Sequence, residues 1–161
     1  PSGLMTTSAP DRATLLARGV LQEVIAATAT KPGAIVLQLP TSSYQIHLRP
    51  SAPLESFAAG VGKRLVGTIT VQALRVDVVK TGGGRFVEPV FGRPRRVQGS
   101  VLTTDPASGT ITVNAGGGAA VDSGTLPIVI KLTDPRNKPA DYQIGDLVCC
   151  DVFDGATFQN A

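Results

Sequence analysis

The chain has 161 residues, 42% hydrophobic and 17% charged, which excludes a disordered chain because the apolar surface is ample to offset the ordering entropy of folding. Eighteen Gly and 12 Pro without a fixed period favour many short strands and turns over a helical bundle or a collagen-like repeat, and no apolar run approaches the roughly 20 residues that span a bilayer. The net charge of +3 is mild but uneven: residues 1–92 carry nine Lys/Arg against five acids, and residues 93–161 carry six against seven.

Residues 1–12 are expected as a disordered or appended N-terminal stretch, since Pro1 to Pro10 lack the basic and apolar regions of a secretory signal. The segment Thr14 to Ile25 suits helix or strand by apolar content alone, and Asp11 would serve as an N-cap. A strand from about Arg18 is favoured because Lys31-Pro32-Gly33 is a turn signal leading into Ala34 to Leu39, which makes a hairpin. Tyr44-Gln45-Ile46-His47-Leu48 alternates as a half-buried strand should, and Pro50 and Pro53 stop it. Leu54 to Ala59 suits one helical turn, and Arg64 to Val79 is long and β-branched enough for one bent strand or two.

The same order then recurs. Arg96 to Leu102 answers Arg18 to Leu21, and Asp105-Pro106-Ala107-Ser108-Gly109 replaces the first hairpin turn. Thr110 to Val113 answers Ile35 to Leu37, and Leu126 to Leu132 answers Tyr44 to Leu48. Tyr142 to Val152 answers Phe57 to Val71, with Gly62 and Gly145 in equivalent places, and the second copy inserts a Gly-rich loop, residues 115–120. The fold class expected is therefore all-β, as two tandem small antiparallel β-barrels related by internal duplication. Residues 13–80 form the first unit, 81–95 a Gly/Arg/Pro-rich linker, and 96–158 the second unit.

Few residues suggest chemistry. His47 is the single histidine and reads as an ordinary strand residue, and no Gly-x-Ser-x-Gly elbow is present. Gly82–Gly84 and Gly116–Gly118 lack the Lys-Ser/Thr and helix of a phosphate loop. Asp141, Asp146, Asp151 and Asp154 match no EF-hand spacing and read as turn residues, so no metal and no cofactor is expected. Cys149 and Cys150 are neighbours that point to opposite faces of one strand and suit neither a disulfide nor a zinc site, which suggests a reduced, cytoplasmic setting. Arg85, Phe86, Phe91, Arg93, Arg95 and Arg96, with Tyr44, are the candidate binding residues, since Arg holds phosphates and aromatic rings stack on bases.

The succession of strands, loop and Gly-led closing strand resembles the OB-fold and related small β-barrels over about 140 residues. The stretch Phe86 to Arg96 also resembles the middle of a family of uncharacterised bacterial proteins with this layout, which implies no activity. A non-enzymatic structural or protein-interaction module follows as the first expectation, one that self-associates or holds another protein through its β-branched, uncharged surface. Single-stranded nucleic-acid binding is the alternative, and no membrane partner is expected.

Overall fold

A computed structural model describes residues 15–39, 45–80, 84–90, 92–116 and 126–161. The described chain is all-β, with ten strands: β1 (Ala17–Ile25), β2 (Ala34–Gln38), β3 (Gln45–Pro50), β4 (Arg64–Val78), β5 (Phe86–Val90), β6 (Arg93–Asp105), β7 (Thr110–Asn114), β8 (Pro127–Leu132), β9 (Leu147–Val152) and β10 (Thr157–Asn160). Short 3-10 turns at Leu54–Gly60 and Pro139–Asp141 fall where the sequence places its Pro-containing loops.

In β1 and β3 buried positions alternate with more exposed ones, whereas β2 and β7 each bury three consecutive residues. In β1, Ala17 and Leu21 point in, and in β3 Ile46 and Leu48 do so while Gln45, His47 and Arg49 face outward. The β1–β2 turn is held by Thr28, whose Oγ1 accepts the Lys31 N–H at 3.0 Å and whose own N–H donates to the Lys31 carbonyl at 2.9 Å. In the β6–β7 turn the Asp105 carboxylate accepts the Ala107 N–H at 3.1 Å, and Gly109 closes the turn at φ 70°.

Strand pairing runs in two circuits that share β4. In the first, β1 pairs β2, β2 pairs β3, β3 pairs β10 in parallel, β10 pairs β4, and β4 returns to β1. In the second, β6 pairs β7, β7 pairs β8, β8 pairs β4 in parallel, β4 pairs β9, and β9 returns to β6. The seam between β3 and β10 is thin, with only Thr157 opposite Arg49 and Phe158 opposite Pro50. Where β4 changes partner its register slips between Ala73 and Val76. There the Val76 N–H donates to the Asn137 side-chain oxygen at 2.9 Å, and the Val76 carbonyl accepts the Tyr142 hydroxyl at 2.9 Å.

The two circuits share local detail. Each first hairpin slips register at one place, between Leu21 and Glu23 and between Val101 and Thr103. Gly62 N–H donates to the Leu21 carbonyl at 2.6 Å and Gly145 N–H to the Val101 carbonyl at 2.8 Å, and both glycines adopt positive φ, 88° and 95°. The buried residues of both circuits form one contiguous cluster, which includes Leu21, Ile35, Leu48 and Phe158 together with Ile111, Ile130 and Val148.

Two features depart from expectation. Where a linker is expected, β5 and the start of β6 pair as antiparallel strands, with Val87 and Val97 as a buried cross-strand pair and Pro89 opposite Pro94 nearer the turn. Strands also cross the expected division, since β10 lies at the C-terminus yet joins β3 and β4, and the second half of β4 joins β8 and β9. The stretch 1–12 and the inserted loop beyond Gly116 lie outside the described residues.

Two buried acids give the core a pH dependence. Burial, reinforced by Cys149, pushes the Cys150 thiol from 9.0 up to about 12, and burial, reinforced by Asp141, pushes the Tyr142 hydroxyl from 10.0 up to about 12. Both groups are neutral when protonated, and the folded state holds their protons more tightly. Their contribution is therefore complete below pH 9 and is lost as pH rises from there toward about 12. Urea midpoints are expected to stay level from pH 7 to about 9 and then to fall, and Cys150→Val is expected to delay the onset of that fall.

Candidate functional site

The outward face of β3 meets three other segments at a cavity of about 250 Å³. The β1–β2 loop contributes Thr28 and Lys31, β3 contributes His47 and Arg49, β6 contributes Arg93, and the turn before β10 contributes Asp154. Strand alternation explains His47 and Arg49: they are two residues apart, so both project to the side opposite Ile46 and Leu48. Arg93 arrives because the β5–β6 turn packs onto β3, where His47 N–H donates to the Gly92 carbonyl at 2.8 Å. The turn before β10 is tied to the same strand, since Arg49 N–H donates to the Ala156 carbonyl at 2.8 Å. The Arg49 guanidinium lies against Gly155, whose Cβ, were there one, would sit 3.2 Å from Cζ.

The electrostatics are lopsided. Lys31, Arg49 and Arg93 bring positive charge, His47 brings an imidazole, and Asp154 is the one carboxylate among the described lining residues. Arg93 donates to Asp154 Oδ2 at 2.8 Å, with side chains 44% and 36% exposed, while no described carboxylate pairs with Lys31 or Arg49. Such a surface offers charge-assisted hydrogen bonds to an oxyanion, and guanidinium groups suit phosphate in particular.

The expected binding residues are spread along the β5–β6 hairpin. Of those that are described, Arg93 alone lines the cavity. Arg95 is the extra residue of a β-bulge, between the pairs Glu88–Arg96 and Pro89–Pro94, and is exposed. Arg96 reaches Asp151 at 3.5 Å, and its pKa is raised first by Cys149 and then by Asp151. Arg85 and Phe86 sit at the far end, with Phe86 opposite Gln98, five residues along β6 from Arg93 and so about 16 Å away. Tyr44 and Phe91 lie outside the described residues.

His47, Arg49 and Lys31 were not among the expected binding residues, although the alternation of β3 already put the first two on one face. The four aspartates have separate partners. Asp141 accepts the Lys138 N–H at 3.0 Å, Asp146 accepts the Gln143 N–H at 3.0 Å, and Asp151 and Asp154 pair with Arg96 and Arg93. Among the described residues no three His, Cys, Asp or Glu gather as a metal site, and no helix is long and apolar enough to cross a membrane. Both cysteines are free thiols. No protein-family model matches the chain, and a comparison with curated proteins finds no match either.

Proposed function

We propose that the chain is a non-enzymatic, cytoplasmic binding module of two OB-like units related by duplication, and that it holds single-stranded nucleic acid in the cleft over β3. The observation that carries this reading is the convergence of Lys31, His47, Arg49 and Arg93 on one cavity. The pairing order β1–β2–β3–β10–β4 supports an OB-like first unit with β10 as its fifth strand. On that assignment the cleft lies at the strand 2–3 face, between the loop joining strands 1 and 2 and the loop leading into strand 5, where small barrels of this kind take oligonucleotides. The matched bulges and the matched Gly62 and Gly145 hydrogen bonds support duplication.

Titration of fluorescein-labelled oligothymidylate at low and moderate salt tests the reading. Three phosphate contacts on a single strand give a log-log salt slope of about −2. Absence of binding at low salt, by the wild-type chain and by Asp154→Asn alike, discards it.

Self-association is the second reading, and one observation favours it: among the described strands β5 alone has a single neighbour, β6. Its open edge offers backbone groups to another copy over Phe86–Glu88, although Pro89 removes the next donor. Light scattering after size exclusion is expected to show a concentration-dependent dimer that Val87→Pro abolishes. A monomer at high concentration removes this reading.

A further inference from the structure

Asp154 stands where an oxyanion would stand. Its carboxylate oxygen lies 2.8 Å from an Arg93 guanidinium nitrogen, inside a cavity whose other described ionisable lining residues are Lys31, Arg49 and His47, set among apolar and neutral ones. The turn that carries it is anchored to Arg49 twice: the Ala156 carbonyl accepts from the Arg49 backbone, and Gly155 lies against the Arg49 guanidinium. The pair is partly exposed, so it is weak and can be opened at little cost. While closed, it engages Arg93 and lowers the positive potential that Lys31 and Arg49 would otherwise present.

We infer that Asp154 is an intramolecular competitor for the cleft, a built-in anion that a phosphate of the bound strand must displace from Arg93. This rests on the proposed nucleic-acid reading and adds how that site is restrained. Binding exchanges one ion pair for another: Arg93 passes from the Asp154 carboxylate to a phosphate oxygen, and Asp154 turns to solvent without any covalent change. The net gain at Arg93 is therefore smaller than at Arg49, which has no described carboxylate to release.

The test uses the full chain and the same labelled oligothymidylate. Asp154→Asn keeps the side chain's shape and removes its charge. It is expected to bind up to about fivefold more tightly than wild type, with the salt slope left at about −2 because Arg93 contacts a phosphate in both bound states. Asp151→Asn removes the same charge outside the cleft, beside Arg96, and is expected to leave affinity within about twofold. Equal tightening by both variants, or none by Asp154→Asn while wild type binds, overturns the competitor. Binding by Asp154→Asn where wild type shows none supports it and places the restraint above the affinity of the site. Silence from every variant overturns the nucleic-acid reading and the competitor together. Thermal melting of both variants within about 2 °C of wild type shows that the fold is kept.

Discussion

Phe158→Ala is expected to destabilise the whole chain by about 3–5 kcal/mol, the cost of deleting a buried aromatic ring whose surroundings relax only in part. The ring is fully buried, and it sits on β10 near the C-terminus. It packs directly on the backbone of β4, where a Cβ on Gly67 would fall 2.5 Å from Phe158 Cζ and 2.3 Å from the Gln159 carbonyl oxygen. Gly67 therefore has no side chain that could move into the space, and the cavity stays open. The loss also reaches the seam between β3 and β10, where Phe158 is one of only two residues in register. Because β4 serves both circuits and the buried cluster is contiguous, unfolding is expected as one transition. Urea denaturation followed by far-ultraviolet circular dichroism checks this. A shift below 1 kcal/mol would contradict the packing described, and two separated transitions would contradict the shared core.

That dependence on a C-terminal strand was not legible in the sequence, and the reason is physical. Period-two alternation and turn residues report local conformation, so the hairpins at Lys31–Gly33 and Asp105–Gly109 and the strand through Ile46 and Leu48 were readable. Alternation is silent on which strand lies beside which. Thr157–Asn160 is too short to show a pattern, and its parallel pairing with β3 is a contact across more than 100 residues. The hairpin at residues 84–95 was hidden differently: its two Pro residues signal a break, yet they sit at an edge and at a bulge, where strands tolerate them. The cleft divides in the same way. The shared face of His47 and Arg49 follows from spacing two in β3, whereas Arg93 and Asp154 come from segments 44 or more residues further on, and only pairing brings them to that face.

The double variant Arg49→Ala, Arg93→Ala is expected to weaken oligothymidylate binding about fiftyfold at low salt, from a charge-assisted contact of about 1.5 kcal/mol at Arg49 and a smaller net one at Arg93, where the Asp154 pair is given up. The salt slope is expected to become shallower by about 1.4, since each phosphate contact on a single strand contributes about 0.7. Both residues are exposed, so melting should change little, and the change in slope separates lost phosphate contacts from lost folding. Total charge is controlled by Arg75→Ala with Arg136→Ala, which removes the same two charges at exposed arginines that pair with Asp77 and with the less exposed Asp134. If that control weakens binding as much, the attraction belongs to the molecule's overall charge and the cleft has no special part in it. If it leaves affinity within about threefold, the contact lies where β3, the β5–β6 hairpin and the turn before β10 meet. The shared β4 then bears on function as well as stability, because the turn that carries Asp154 is placed by β10, and β10 is held chiefly by its register with β4.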